Sequence, residues 1–549
     1  MAKLKLSIKN YEIIIVAVLF LTSFWLWTLP LQSSNVPFGE GDAAWQFAAA
    51  DQMYMQNHAS FRIPSYLGNW YYGFNTILGP NAIEYPPPYP LNIALSQIFG
   101  GGRFVSAYIM FALLDMLASI SLFLLIRKLY GILQGFLAGF AMVFSMRDIM
   151  LYLLGQRGSV ISFTFIPIAL YSFYMYITTP DSDKKKNVYL FTTILVIASQ
   201  YVFHIQGTIV SVGVIILFSL FMWLKNKKFP LTINSLKNNW KLYSILVLLL
   251  LIFTMPFLLI YFGAQVTNPV HINNVSRLFS WYKVSDQPGY TQGNVAGYPL
   301  IYFSFSQIYN YWYLPFLIMG IILLLIRREP KDLLMLSWVI GVYILIHLDV
   351  TGYFSVQRSA RMLLAETALF YSLITIGIAG LPSLLSNFYK IKESSIKTIK
   401  YLLAAIFIIF LVFANGKAAY STLNGAYSPI LRLNPYQMQV SDWMASNLPE
   451  NAIVIAKGTI TYPKIRFMLA ISQRYVTNQA QNLLDLDVIT QNDIYYMLDY
   501  SDLVLLGQQD TINSQLEWEK LNFQNSTLIY NQNNIHIWHG NITVFTNGQ

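Results

Sequence analysis

The sequence predicts a mainly α-helical membrane protein, a polytopic helix bundle that carries a small outward-facing α/β domain at its C-terminal end. The chain of 549 residues is 55% hydrophobic and only 11% charged, whereas soluble globular proteins carry about 25% charged residues. Apolar runs long enough to cross a bilayer recur as far as about residue 415. Beyond that point the runs stop, and the remaining residues have the composition of a soluble domain.

The membrane part is predicted to contain about eleven transmembrane helices, each of about 20 mostly apolar residues. They start near Ile13, Phe104, Ile132, Ile161, Val188, Ile209, Leu242, Tyr311, Leu333, Leu363 and Tyr401. The first run is too long and uninterrupted for a cleaved signal peptide, and no small-residue cleavage site follows it. We therefore expect it to remain as the first span.

Positive charge is distributed unequally between the two sides of these spans. Six short segments, the N-terminal one and five between the spans, hold 20 of the 35 Lys and Arg residues, including Lys184 to Lys186, and the alternate loops hold eight. Cytoplasmic loops of membrane proteins carry such an excess. The pattern predicts a multi-pass plasma-membrane protein with a cytoplasmic N-terminus and an extracytoplasmic C-terminal domain. The basic balance thus indicates topology, and we expect no nucleic-acid partner.

The domain boundaries follow from this topology: a transmembrane domain at 1–415, with a folded first outer loop at 32–103, and an extracytoplasmic α/β domain at 416–549. Within the loop, Asp42 to Gln56 and Leu91 to Phe99 have apolar residues at helical spacing. Both segments are predicted to lie on the membrane surface with their apolar faces at headgroup depth. Phe47 and Ile93 would then have access to lipid.

The C-terminal domain shows alternating helical and strand-like patterns that favour a small α/β unit. Helices are predicted at Pro435 to Asn447, Lys464 to Ile471 and Asn492 to Leu498. Buried strands are predicted at Ala452 to Ala456 and Leu503 to Leu506. The last segment, Leu528 to Phe545, is predicted to form a hairpin. Such a domain could bind protein partners on the outer side.

Two carboxylates, Glu40 and Asp42, follow the first span directly, in Gly39-Glu40-Gly41-Asp42-Ala43-Ala44-Trp45. Charge near the membrane is costly, so ionisable residues there indicate a functional site. A carboxylate in a partly dry cleft can take a proton from an attacking hydroxyl or hold a divalent metal such as Mg or Mn. Asp42 can equally cap the helix that follows it.

Scarce outer-side cations are candidates for binding an anion. Arg157, Arg358 and Arg361 lie at the mouths of predicted spans, and the guanidinium fork suits phosphate oxygens. The alternative is a local salt bridge, such as Arg361 with Glu366 or Arg147 with Asp148.

Two further polar residues at the outer ends of spans are weaker candidates. His204 could donate to a phosphate or acceptor, or could be a structural residue at the end of a helix. Asp148 is a candidate second metal ligand beside Asp42. Inside the second predicted span, Asp115 is expected to be protonated and hydrogen-bonded to a neighbouring helix.

Several other features limit the function. The acceptor pattern for N-glycosylation occurs at Asn274, Asn525 and Asn541, all on the predicted outer side. There is no cysteine, which excludes disulfides, thiolate metal sites and cysteine nucleophiles. No phosphate-binding loop, dinucleotide fingerprint, histidine-rich cluster or nucleophile elbow occurs, so nucleotide chemistry on the inner side is not expected.

Four short segments share a plan with a known group of membrane enzymes. They are Gly41 to Trp45, Glu84 to Pro90, Gly155 to Arg157 leading to Phe165 to Pro167, and Val440 to Met444 leading through Leu448 to Ala452. With their positions, they make the chain resemble the GT-C superfamily of polytopic glycosyltransferases. The segment at 440–452 is similar to archaeal oligosaccharyltransferase-like proteins. The Trp-Trp-Asp motif of the oligosaccharyltransferases is absent, since Ala452 is followed by Ile453-Val454-Ile455-Ala456-Lys457-Gly458.

This resemblance implies an inverting transferase whose donor is a sugar linked to polyprenyl phosphate. The acceptor would be a lipid, a glycan or a protein on the outer face, with transfer of one sugar favoured over transfer of a whole glycan. Asp42 would act as base or metal ligand, and the outer arginines would hold the donor phosphate. The main alternative is a non-catalytic scaffold that binds lipid or partner proteins. A transporter is disfavoured because few charges lie within the predicted spans.

Overall fold

The protein is mainly helical, as its composition predicts. The computed structural model describes residues 8–32, 35–39, 41–57, 66, 88–155, 157–180, 182–227, 240, 244, 248, 311–347, 365–388, 392–426, 432–458, 462–477 and 493–540. Within these described residues, six helical segments are long and apolar enough to cross a membrane: Val105–Tyr130, Ile132–Leu153, Arg157–Thr178, Ile205–Asn226, Glu366–Leu385 and Glu393–Gly425. Shorter apolar helices occupy Tyr11–Trp27 and Tyr311–Arg327.

These helices agree with the predicted multi-pass membrane protein. Further helices at Lys185–Phe203 and Pro330–Ile346 coincide with two more predicted spans. The span predicted near Leu242 lies largely outside the described residues. The total of about eleven therefore stays a prediction.

The chain forms two compact units. The first comprises Met1–Leu29, Phe111–Tyr152 and Gln156–Leu423; the second comprises Pro30–Met110, Leu153–Gly155 and Asn424–Gln549. The second unit thus combines the first loop with the C-terminal residues, which are more than three hundred positions apart in the sequence. The predicted membrane-domain boundary at residue 415 stays a prediction.

Within the first unit, glycines allow two helices to pack with their backbones almost in contact. A Cβ placed on Gly320 would lie 2.2 Å from the carbonyl oxygen of Leu373, and one on Gly377 would lie 2.0 Å from that of Phe316. These residues belong to helices Leu314–Arg327 and Glu366–Phe388. Small residues at such crossings allow close van der Waals packing, which holds helices together in lipid, where the hydrophobic effect between helices is absent.

The second unit contains a five-stranded mixed sheet. Its strands are β1 (Ile453–Gly458), β2 (Tyr475–Thr477), β3 (Ile494–Asp499), β4 (Thr527–Gln532) and β5 (Ile535–His539), in the order β2-β1-β3-β5-β4. Strand β1 is parallel to β2 and to β3, whereas β5 is antiparallel to β3 and β4. Helices Pro435–Asn447, Tyr462–Ser472, Ser501–Leu505 and Gln509–Asn522 accompany the sheet. The predicted terminal hairpin corresponds to β4 and β5.

Two of the predicted elements in this unit are wrong. The segment predicted as a helix at 492–498 is strand β3, and the segment predicted as a strand at 503–506 largely belongs to helix Ser501–Leu505. Every residue of β3 is buried, including Asp499 at its end, so apolar and polar residues do not alternate along the strand. Periodicity cannot distinguish such a buried strand from a buried helix.

The two predicted helices of the first loop exist, at Gly41–Gln56 and Pro88–Gly100, but their inner faces are covered by protein. Phe47 is 1% exposed and Ile93 0% exposed, so the expected lipid access at these two positions is wrong. The exposed apolar residues of the second helix are instead Leu95, Ile98 and Phe99. Phe47 packs in a core with side chains of the C-terminal part of the same unit, and the second helix packs against the first.

Candidate functional site

Asp42 is the second residue of helix Gly41–Gln56, where the helix dipole and the unpaired amides favour a negative charge. The residues that follow it, Ala43, Ala44 and Trp45, are 1%, 1% and 2% exposed. They share one hydrophobic core with side chains from the C-terminal helices and strands, such as Met444 and Phe467. The helix start that carries Asp42 is therefore held by packing. Glu40 lies outside the described residues.

Gly155 packs directly against this helix start. Its φ is +88°, and a Cβ placed on it would lie 2.7 Å from the backbone nitrogen of Ala43 and 2.3 Å from its Cβ. Only glycine meets both requirements at low cost. Two segments that the sequence singled out separately, Gly41 to Trp45 and the turn that begins at Gly155, thus meet in the second unit. Arg157 follows two residues later in the chain.

We expect Gly155→Ala to destabilise the second unit by about 1–3 kcal/mol, because it adds both backbone strain and a clash with Ala43. The shift of the helix start should also lower any activity that depends on Asp42. Gly101→Ala is a matched control, since Gly101 also has a positive φ (+65°) but no atom within 4 Å of the added Cβ. Thermal unfolding of both variants measures the difference. Equal losses of stability in the two variants would show that Ala43 moves aside without cost and that the clash contributes nothing.

Arg157 begins helix Arg157–Thr164 and is 0% exposed. Its guanidinium carbon lies 4.5 Å from the centre of the Phe111 ring and 5.4 Å from that of Tyr152. Such stacking stabilises a desolvated arginine through cation–π attraction. The aromatic contacts give the side chain a structural role. Its predicted role in binding phosphate stays a prediction, while Arg358 and Arg361 lie outside the described residues.

His204 joins helices Lys185–Phe203 and Ile205–Asn226 and caps the second of them. Its Nδ1 accepts a hydrogen bond of 3.3 Å from the backbone nitrogen of Gln206. The Ser162 hydroxyl donates to the carbonyl oxygen of His204 at 2.7 Å. These contacts support the structural alternative for His204, and phosphate binding there stays a prediction.

Asp148 and Arg147 are buried in the first unit but contact different partners. Asp148 lies in the first turn of helix Met146–Leu154. Its carboxylate accepts a hydrogen bond from the hydroxyl of Ser145, three residues earlier. Arg147 forms an ion pair with Glu366, and both side chains are at most 3% exposed. Arg147 therefore has an ion-pair partner on a distant helix, Glu366–Phe388.

The predicted metal site remains a prediction. Asp148 offers a hard oxygen ligand, and it lines a cavity of about 20 Å³ with the hydroxyl-bearing Ser121, Thr164 and Thr367. Oxygen atoms of this kind suit Mg or Mn. Among the residues that the structure describes, no three His, Asp or Glu side chains are grouped so as to hold a metal.

An ion pair between Asp51 and Arg103 was missed by sequence reasoning. Nε of Arg103 donates to both carboxylate oxygens of Asp51 at 2.9 and 3.0 Å, and Nη2 donates at 2.7 Å. Nη2 of Arg103 also donates to the carbonyl oxygen of Ile471 at 3.1 Å, and Gln97 donates to Asp51 at 3.3 Å. Burial raises the pKa of the Asp51 carboxyl, and the bonds and charge of Arg103 oppose that shift.

The pair connects the loop to the C-terminal part of the second unit. Asp51 lies on helix Gly41–Gln56, four hydrogen bonds reach it from Arg103 and Gln97, and Ile471 belongs to helix Tyr462–Ser472. The sequence contains only a weak indication of this pair, since Arg103 is one of eight cations in the predicted outer loops. No sequence pattern indicates that Arg103 contacts Asp51, 52 positions earlier.

A second missed cluster lies at the carboxyl ends of the parallel strands β1 and β3. Lys464 donates to both oxygens of Asp502 at 2.9 and 2.7 Å, and Gln437 donates to Asp499 at 2.7 Å and to Asp502 at 3.1 Å. Burial raises the pKa of Asp499, and hydrogen bonds from Ser501 and Gln437 oppose the shift. This network fixes the starts of three helices against the sheet.

Asn525 is exposed in the turn between helix Gln509–Asn522 and β4. Its side chain is therefore accessible, as a glycosylation acceptor must be. The other two predicted acceptors, Asn274 and Asn541, lie outside the described residues.

Comparison of the sequence with protein-family models and with curated proteins finds no match. Solved structures do match. The oligosaccharyltransferase of Archaeoglobus fulgidus in its apo form has a TM-score of 0.59 at 12% identity, covering 90% of this chain and 70% of that one. The same archaeal enzyme, AglB, in complex with an inhibitory peptide and a dolichol-phosphate has a TM-score of 0.57 at 13% identity, covering 90% and 70%. The chain has the GT-C fold of these membrane glycosyltransferases.

A second type of GT-C enzyme matches over its whole length. ArnT from Cupriavidus metallidurans, bound to undecaprenyl phosphate, has a TM-score of 0.50 at 10% identity, covering 98% of this chain and 99% of that one. The archaeal enzyme has also been solved with Zn and sulfate, at a TM-score of 0.58 and 12% identity, covering 89% and 68%. The predicted resemblance is thus confirmed at the level of the fold.

Proposed function

We propose that the protein is an integral membrane glycosyltransferase that moves a sugar from a polyprenyl-phosphate-linked donor to a lipid, glycan or protein acceptor on the outer face. The observation that carries the proposal is the position of Asp42. It lies at the start of a buried helix, directly after the first apolar helix, in a chain with the GT-C fold. The neighbours in complex with dolichol-phosphate and undecaprenyl phosphate support a polyprenyl donor.

In the proposed reaction the acceptor hydroxyl attacks the anomeric carbon of the donor sugar. The new carbon–oxygen bond forms as the bond from that carbon to the phosphate oxygen breaks. The configuration at the anomeric carbon is therefore inverted, and polyprenyl phosphate is the leaving group. Asp42 takes the hydroxyl proton. If a divalent metal binds, the sequence predicts Asp42 and Asp148 as the residues to hold it, and its charge would supply stabilisation for the leaving phosphate. Arg157, Arg358 and Arg361 are the proposed phosphate partners, since fixed cations stabilise developing charge without reorganising.

The experiment that tests the function uses the full-length protein in lipid vesicles with a radiolabelled polyprenyl-phosphate sugar. We expect loss of the labelled donor and appearance of label in an acceptor fraction from membranes. If the donor is bound but never consumed with lipid, glycan or protein acceptors, the non-catalytic scaffold is the better description. Passage of intact donor across the vesicle membrane would instead favour the transporter.

A further inference from the structure

A second polar cavity lies in the first unit, among residues that have no part in the proposed reaction. It has a volume of about 210 Å³, room for several water molecules. Its polar lining consists of Tyr130, Gln134, Arg327, Ser383 and Lys400, and its apolar wall includes Leu323 and Ile326. It is therefore a mixed cavity with two cationic side chains and a hydrophobic side.

The lining residues lie at the ends of membrane helices. Tyr130 ends helix Val105–Tyr130, Arg327 ends helix Leu314–Arg327, and Lys400 lies in the third turn of helix Glu393–Phe410. The excess of Lys and Arg on the adjoining segments predicts that these ends are cytoplasmic. The cavity is thus at the level of the inner leaflet, on the side opposite the predicted reaction.

Most charges around the cavity are already paired. Arg327 contacts the buried carboxylate of Asp332 at 3.2 Å, and the Tyr130 hydroxyl donates to the same carboxylate at 3.0 Å. Lys331 is paired with Glu329 at 2.8 Å. Among the residues that the structure describes, no carboxylate lies within 4.0 Å of the ammonium of Lys400. Among the described residues that line the cavity, Lys400 is thus a cation without a carboxylate partner.

A half-buried lysine within a membrane helix is costly unless an anion accompanies it. Basic pockets between membrane helices on the cytoplasmic side bind anionic lipid headgroups. The apolar wall adds a surface for acyl chains, which a free anion would not use. We propose that this cavity binds the phosphate-bearing headgroup of an anionic membrane phospholipid, with Lys400 as its main cationic contact.

Lipid binding to the purified, delipidated full-length protein tests this, measured by native mass spectrometry with phosphatidylglycerol, phosphatidylcholine and inorganic phosphate as separate probes. We expect phosphatidylglycerol to bind the wild type and Lys400→Gln to bind it about fivefold more weakly, the scale of one cationic contact. Lys400→Arg should retain binding. Lys397→Gln is the matched control, because Lys397 is an exposed lysine one turn earlier on the same helix.

Three results would each overturn the proposal. The first is equal phosphatidylglycerol binding by Lys400→Gln and the wild type. The second is equal binding of phosphatidylcholine and phosphatidylglycerol by the wild type. The third is binding of inorganic phosphate as tight as that of the lipid, which would identify a site for a free anion. Because sugar transfer is not the readout, failure here is separable from failure of the proposed enzymatic function.

Discussion

Replacing Asp42 by asparagine is expected to lower sugar transfer by about 10²-fold or more, the usual scale for losing acid–base help. Asparagine keeps the size and the hydrogen-bonding capacity of the side chain at the first turn of the helix, so the yield and the unfolding temperature should be nearly unchanged. The start of the helix is also held by the buried residues Ala43, Ala44 and Trp45. The change therefore removes the proposed proton acceptor or metal ligand while leaving the buried start of the helix in place.

Asp510→Asn is the matched control, because Asp510 is also an acid in the first turn of a helix, Gln509–Asn522, and lies exposed at the surface. It should transfer sugar at the wild-type rate. Transfer by Asp42→Asn at that same rate would refute the catalytic role. A loss of folding in Asp42→Asn alone would show that the carboxylate has a structural function.

Replacing Arg103 by glutamine is expected to destabilise the second unit by about 3 kcal/mol or more, because it leaves the Asp51 carboxylate buried without its cation. The side chain of Asp51 is 0% exposed, and that of Arg103 is 22% exposed. The change also removes the bond to the carbonyl oxygen of Ile471. Unfolding of the purified protein, followed by heating or by denaturant, should show the loss directly.

The control is Lys331→Gln, which breaks the solvent-exposed pair with Glu329, whose carboxylate side chain is 53% exposed. Exposed pairs contribute about 0–1 kcal/mol, so this variant should unfold close to the wild type. Asp51→Asn should cost less than Arg103→Gln, since a neutral amide at that position can still accept from Arg103. Equal and small effects of all three changes would mean that packing alone holds the loop to the C-terminal residues.

The helices predicted from apolar runs are found where the structure describes them. The starts near Phe104, Ile132 and Tyr311 agree with observed helices, because in lipid an apolar run must satisfy its backbone groups internally. The helix predicted to start near Tyr401 begins earlier, at Glu393. The C-terminal predictions were less successful, since β3 and the helix at 501–505 were interchanged. Both elements are short, and every residue of β3 is buried, so the local pattern does not distinguish a strand from a helix there.

The candidate site was predicted in part. The position of Asp42 at the start of a helix follows from the sequence, because glycines and alanines flank an acid after an apolar run. The close approach of Gly155 to Ala43 was not predicted as a contact, although both segments had been singled out. Arg157 was expected at a phosphate, yet its observed neighbours are the rings of Phe111 and Tyr152.

The sequence by itself determined that this chain enters a membrane repeatedly and where its first acidic segment lies, because hydropathy and helix starts are local properties of the chain. Only the tertiary structure decided that helix Gly41–Gln56 is buried in protein, that Asp51 pairs with Arg103, and that Arg147 pairs with Glu366. These contacts join residues 52 to more than 200 positions apart. An apolar helix face and an unpaired charge each require a partner, and only the folded chain determines which one it finds.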